Sequence, residues 1–440
     1  MWVEHPNEAD NGIQLSMWKI LTDKKVLSWA MYDWANSAFA AVMLASIFPV
    51  FFKEYLSAGQ SVTTSTFHLG MANSIAGIVI VLLAPILGAI ADAGEARKRM
   101  LLSFAALGMI MTAALYGVAQ GAWLAAATLY VLAVVGFMGS VIFYDALIVK
   151  ASRPEHYDLV SGYGYALGYL GGGILLSVDI LMTAYPTWFG FVDSTEAVRF
   201  AFVSVAIWWA VFTLPLLFNL PADRGGARVG LKRAVTGGFR DLYKTYRDIR
   251  QYKLVWLFLV SYWLYIDGVD TVVRMAIDFG LSIGFDSQDL IVAILITQFV
   301  GFPAALLFGL LGERIGPKAG ILIALGVYLL VTIWAYFMQQ VQEFYMLAVV
   351  IGLVQGGVQS LSRSLYARII PADKAGQFFG FYNMMGKFAA VIGPGLIGTV
   401  AFLTDSSRLG ILSVIALFLA GALLLWKVDV REGERIARRA

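Results

Sequence analysis

Gly88-Ala-Ile-Ala-Asp92-Ala-Gly94-Glu-Ala-Arg97-Lys98 closes one long apolar run, and Gly309-Leu-Leu-Gly-Glu313-Arg314-Ile-Gly316-Pro-Lys318 closes another. In both, a glycine stands four residues before an acid and basic residues follow, and the two glycines lie 221 positions apart. Pro154, Gly162 and Gly168 are echoed by Pro371, Gly380 and Gly386 at offsets of 217 and 218. Three features sharing nearly one offset point to a duplicated chain. Two superposable halves enclose a cavity at their seam, which is the geometry that alternating access across a membrane uses.

The surrounding composition fits a membrane. Of 440 residues, 60% are hydrophobic and only 14% charged, and the mean hydropathy is +0.76, well above an ordinary soluble domain. A span needs ~20 mostly apolar residues, because inside lipid the helix must satisfy its own backbone. Twelve segments qualify, near 27–52, 67–91, 100–119, 121–148, 160–184, 198–220, 254–280, 288–311, 319–338, 342–368, 376–402 and 408–427. The fold expected is therefore an all-α polytopic membrane protein with twelve transmembrane helices in two pseudo-symmetric six-helix bundles. Its parts are an N-terminal segment 1–26, a first bundle 27–220, a basic linker 221–253 that includes a candidate surface helix, a second bundle 254–428, and a tail 429–440.

Basic residues orient the bundle. With both termini cytoplasmic, 27 of the 32 lysines and arginines fall on the inner side, while Lys53, Arg199 and Arg408 fall near the outer one; that asymmetry supports both ends inside. Arg274 and Lys387 remain within spans. A net charge of +3 gives no reason to expect nucleic-acid binding. The chain has no cysteine, and its histidines are His5, His68 and His156. All three lie at or beyond span ends, so no metal, thiolate or serine-hydrolase site is expected. A phosphate-cradling Gly-x-x-x-x-Gly-Lys-Ser/Thr loop is also missing, which disfavours ATP-driven transport by this chain.

The loops after spans 2 and 8 resemble the signature loop of the major facilitator superfamily, in which an acid at a helix end pairs with basic residues and helix termini across the cytoplasmic face. The second copy follows that pattern closely. The first departs from it, with Ala93 where a basic residue usually follows the acid. The resemblance marks Asp92, Arg97, Glu313 and Arg314 as gating residues. A narrower likeness runs through Tyr32-Asp33-Trp34-Ala35-Asn36-Ser37-Ala38-Phe39, the glycine run 162–173, Gln355-Gly-Gly-Val-Gln359-Ser-Leu-Ser362-Arg363-Ser364, and Phe378-Phe-Gly380-Phe-Tyr382-Asn383 leading to Lys387 and Gly393-Pro394. These strings look like the vacuole-effluxer family of that superfamily, whose founding members are associated with autophagy and release amino acids. The resemblance implies a solute effluxer for which amino acids are the first cargo to consider.

Charges inside the membrane cost at least a few kcal/mol, so they mark function or a compensating partner. Span 7 carries Tyr265, Asp267, Asp270 and Arg274. Asp270 and Arg274 are four apart and share a helical face, and Asp267 is expected on the same stripe. Lys387 in span 11 needs an anion, and Tyr382 and Asn383 precede it. Asp33 and Asn36 in span 1 are three apart; a packing hub is as good a reading of Asp33 as solute contact. Asp145 in span 4 aligns by the repeat offset with Ser362 and Arg363, and opposite charge character at related positions suggests an inner-gate pair. Tyr165 and Tyr169 are cavity candidates within a glycine run better suited to close packing, while Gln298, Gln355 and Gln359 offer neutral hydrogen bonds. Trp208, Trp209, Trp256 and Trp263 are expected at lipid or its interface.

Together these features predict a secondary transporter of a small polar solute, amino acids first, with protons as the coupling ion. It would work as a monomer, without cofactor, in the inner or cytoplasmic membrane of a prokaryote. A sugar or organic-anion carrier of the same fold, and a non-transporting receptor or lipid-handling protein, remain as alternatives.

Overall fold

The computed structural model describes residues 17–60, 62–93, 96–221, 252–388 and 392–439, and among them there is no strand. In the first half run α1 (Lys24–Phe39), α2 (Val62–Ala93), α3 (Arg97–Ala114), α4 (Trp123–Ala146), α5 (Tyr157–Ala184) and α6 (Ser194–Asn219). In the second run α7 (Lys253–Ser282), α8 (Ser287–Ile315), α9 (Pro317–Phe337), α10 (Val341–Ile369), α11 (Ala375–Phe388) and α12 (Ile392–Thr404). They are followed by α13 (Ser407–Leu412), α14 (Ile415–Trp426) and α15 (Val430–Arg439). Among the described residues eleven segments are long and apolar enough to cross a membrane. Expected span 11 is laid down as α11 and α12, on either side of 389–391, which lie outside the described residues. Span 1 continues past α1 through π turns at Ala40–Ala45 and Phe52–Leu56. The linker, and the surface helix expected in it, falls almost entirely within 222–251, outside the described residues. The tail, for which no helix was foreseen, forms α15.

Helix pairing repeats from half to half. α1 packs on α5 and α6, and α7 packs on α11 and α14; α3 packs on α4, and α9 on α10. Between halves, α5 lies along α8 and α2 along α11, and moving on by six spans turns the first contact into the second. End caps repeat as well. Lys98 Nζ donates to the carbonyls of Leu217 (2.8 Å) and Leu220 (2.7 Å), and its repeat mate Lys318 donates to those of Trp426 (2.6 Å) and Val428 (2.8 Å). Each lysine thus satisfies orphan carbonyls where the last helix of its own half ends. At the opposite face Arg199 caps Tyr116 O (2.7 Å) and Arg408 caps Tyr336 O (2.6 Å). α8 stops at Gly316, whose φ of 86° favours glycine, and Pro317 starts α9.

Small residues set the seam. A Cβ on Gly88 would lie 2.2 Å from the carbonyl oxygen of Gly376, and one on Gly162 would lie 2.6 Å from Ala305 O and 2.9 Å from Gly309 Cα. The repeated glycines before the acids are therefore the points where backbones of opposite halves touch. Trp209 corrects the expectation of a lipid-facing ring: it is fully buried beside Phe39 and Phe137 and fills the space over Gly108. Trp208 is half-buried and stacks on Trp34 at 5.6 Å.

Candidate functional site

Arg363 is 2% exposed, projects from α10, and crosses the seam into the first half. Its Nη1 lies 3.2 Å from Asp145 Oδ1 and 3.3 Å from Asp33 Oδ2. Its Nε donates to Ser161 Oγ and its Nη2 to Ser161 O, both at 2.9 Å. Aromatic faces of Trp29, Tyr144 and Tyr165 surround the guanidinium at 4.8, 5.3 and 4.3 Å, and cations are favoured over such faces. Each carboxylate has a further donor: Tyr144 Oη bonds Asp33 at 2.9 Å and Asn383 Nδ2 bonds Asp145 at 3.0 Å. Gly164 leaves the room required, since a Cβ there would stand 2.8 Å from Tyr144 Oη and 2.9 Å from Asp33 Oδ2. One guanidinium thus holds α1, α4 and α5 to α10, with α11 attached through Asn383. Positions 145 and 363 are related by the repeat, and two symmetry mates can touch only near the axis that relates them. The contact therefore marks where the pseudo-twofold passes through the seam.

A second cross-seam cluster lies nearer the face on which α15 lies. Asp158 of α5 is fully buried, accepts from Ser364 Oγ, and pairs with Arg368 Nη2 at 2.7 Å. Arg368 also reaches Glu434 of α15 at 3.7 Å. Nearby, Arg97 donates to the carbonyls of Ala372 (3.1 Å) and Asp373 (2.7 Å), while Glu313 stands 3.6 Å from His156. The start of α3 thus holds the loop before α11, and the end of α8 stands beside the turn before α5. Arg314 is exposed and lines a groove of about 920 Å³ between α15 and the start of α9. The helix carrying Asp92 is described, but its side chain lies outside the described residues. Arg368→Ala is expected to weaken this contact between the halves by about 2 kcal/mol, since a charged hydrogen-bond partner of a buried carboxylate is lost. Faster deuterium exchange of α15 and the α4–α5 loop would register it, and unchanged exchange would refute it.

Asp267 is fully buried, and its Oδ1 accepts from Gly393 N at 3.0 Å and Thr271 Oγ1 at 3.3 Å. That contact ties α7 to α12, which the helical spacing within span 7 does not reveal. Asp270 is half-buried and makes interactions of its own. The side chains of Arg274 and Lys387 lie outside the described residues. Asn36 is buried, its Nδ2 donating to Tyr32 O at 2.8 Å on its own helix, and Tyr265 is buried against Ser362 Oγ at 2.7 Å. Half-buried Tyr165, Tyr169, Gln298, Gln355, Gln359 and Asn383 come from both halves. Tyr169 Oη lies 3.5 Å from Gln359 Oε1, and Tyr382 stacks on Tyr262 at 4.2 Å.

Ser161, Tyr144, Trp29 and the Asp158–Arg368 pair were not singled out from sequence. Asp158 and Arg368 sit at span ends, where charges are ordinary. Only the three-dimensional meeting of the start of α5 with the end of α10 distinguishes them.

A duplicated helical bundle crossed by ion pairs at one face and lined by polar residues from both halves defines a membrane transporter of the major facilitator superfamily. The fold is that of the proton:xylose symporter XylE (TM-score 0.68, 14% identity, 93% of this chain and 95% of that one). It is also that of the human organic anion transporter MFSD10 (TM-score 0.66, 14% identity, 93% and 99%). Within that class the chain belongs to the Atg22-like vacuole effluxer family, which it matches over residues 57–438. It is 36% identical to the MFS-type transporter YxiO of Bacillus subtilis, over 91% of this chain and 94% of that protein. Autophagy-related protein 22 of Yarrowia lipolytica is 28% identical over 66% of this chain, and the chain spans about half that relative's length (54%).

Proposed function

We propose that the chain exports a small polar solute, amino acids first, by alternating access, in exchange for protons. In this reading the ion pairs across the seam close the cytoplasmic face, the side on which α1 starts and α15 lies. The observation that carries this reading is Arg363, a buried cation of one half held by two carboxylates of the other. Such a contact is affordable only if it forms and breaks with the seam, because a static ion pair at this depth is a weak stabiliser. The family description as effluxers supports the direction, and the bacterial relative supports a location in the cytoplasmic membrane of a prokaryote. Tyr165, Tyr169, Tyr262 and Tyr382 favour a second reading, a neutral polyhydroxylated cargo, since aromatic faces with hydroxyls and amides suit sugars without calling on charge. A thermal-shift screen of purified protein with amino acids and sugars separates the two. An amino acid at about 100 times its Kd is expected to stabilise the fold by ~2.7 kcal/mol, and stabilisation by sugars alone would refute the primary reading.

A further inference from the structure

The pseudo-twofold sets two clasps across the seam at the face on which α15 lies. In one, Arg97 at the start of α3 donates to the carbonyls of Ala372 and Asp373 before α11. A guanidinium keeps its charge at every physiological pH. In the other, Glu313 at the end of α8 faces His156, in the short 3-10 turn before α5. Backbone contact brings these two together: a Cβ on Gly312 would lie 3.0 Å from Asp158 Cβ, and one on Gly309 would lie 2.9 Å from Asp158 O. The imidazole Nδ1 stands 3.6 Å from Glu313 Oε1, beyond the reach of a full hydrogen bond. The attraction between them is therefore one of charge, and a neutral imidazole supplies none.

We propose that His156 makes closure of the cytoplasmic face responsive to cytoplasmic pH; this rests on the transporter reading above. Imidazole is the side chain that ordinarily gains or loses its charge between about pH 5 and 8. Parting the halves takes Glu313 away, so the closed state holds a proton on His156 more tightly than the open one. By linkage the clasp is present in full at acidic pH and is lost as pH rises through that range. The surrounding charges do not change in step with it. Asp158, two residues on, is met by Arg368 of α10, which also reaches Glu434 of α15. Lys318 of α9 is engaged with carbonyls at the end of α14. Lys150, Arg153 and Glu155 lie on the connection from α4 to α5, Arg314 on α8, Lys427 and Asp429 between α14 and α15, and Arg431 on α15. Lysine and arginine hold their charge throughout that range, and carboxylates ordinarily titrate below it. A carrier that admits protons as it exports solute acidifies the cytoplasm, and a clasp that tightens with acid slows it.

Spin labels test this without a cargo. The chain lacks cysteine, so Ser103→Cys with Ile323→Cys, exposed repeat mates near the inner ends of α3 and α9, reports the width of the seam by dipolar spectroscopy of the full chain in lipid nanodiscs. His156 and Glu313 are 36% and 25% exposed, so solvent weakens their attraction. The ratio of short to long distances should accordingly change about threefold between about pH 5 and 8, with the short distance favoured by acid. His156→Gln should remove that change, and Glu313→Gln, which leaves the imidazole in place, should remove it too. Arg97→Ala, at the other clasp, should lengthen the distance and keep its pH response. A response that survives His156→Gln or Glu313→Gln, or a wild-type distance that pH does not alter, overturns the proposal. Failure of every solute screen would instead count against the transporter reading alone.

Discussion

Arg363→Ala is expected to reduce transport to background and to leave the cytoplasmic face open. Removing the guanidinium leaves Asp33 and Asp145 buried beside each other without a cation, and such truncations cost about 3–5 kcal/mol. The protein has a way to avoid that penalty short of unfolding: the halves part and both carboxylates reach water. A bias of ~3 kcal/mol shifts a two-state balance more than a hundredfold, so the closed state becomes a minor species. Arg363→Lys should behave similarly, because an ammonium cannot reproduce the fork that reaches Ser161, Asp33 and Asp145 together. The chain lacks cysteine, so a single Ser360→Cys, at a buried position whose carbonyl accepts from Ser161 Oγ, reports seam opening by maleimide labelling. Slow labelling in an Arg363→Ala background, equal to that of the parent, would show that Arg363 does not hold the face shut.

The repeat offset carried more information about this site than the hydropathy profile did. It pairs Asp145 with Arg363 by position, and in the structure those side chains meet at 3.2 Å. It also pairs Gly88 with Gly309, whose role as seam contacts follows from their lack of a side chain. Helical spacing within one span was a poorer guide. It groups Asp267 with Asp270, but it does not foresee that Asp267 accepts from Gly393 N at 3.0 Å, a contact 126 residues away in the chain. Asn36 shows a similar limit, since a buried amide can satisfy itself on the preceding turn of its own helix as readily as it can face a cavity. The Trp208-Trp209 pair makes the same point for apolar residues. Adjacent positions on a helix face directions about 100° apart, and composition cannot say which ring is buried.

The Gly88 contact leads to the second large effect. Gly88→Val should abolish transport while leaving an inserted, folded protein with an open cytoplasmic face. The atoms a Cβ would meet are Gly376 O at 2.2 Å, Gly376 C at 2.7 Å and Gln377 Cα at 3.0 Å. All are backbone, so no rotamer change can relieve the clash and α2 must move away from α11. Overpacking within a rigid core typically costs about 1–3 kcal/mol, but here the strain is released along the transport motion. The cost therefore falls on the closed state rather than on the fold. Gly309→Val tests the same logic at the related contact, where the nearest atoms are Asp158 O at 2.9 Å and Leu159 Cα at 3.2 Å, and its effect should be smaller because the approach is looser. If both act by parting one seam, the double variant should be no more open than Gly88→Val alone, as coupled sites are not additive. Ser360→Cys labelling in the three backgrounds measures this directly. Equal, additive increases from the two single variants would mean that the contacts yield independently and that the halves do not rock as rigid bodies.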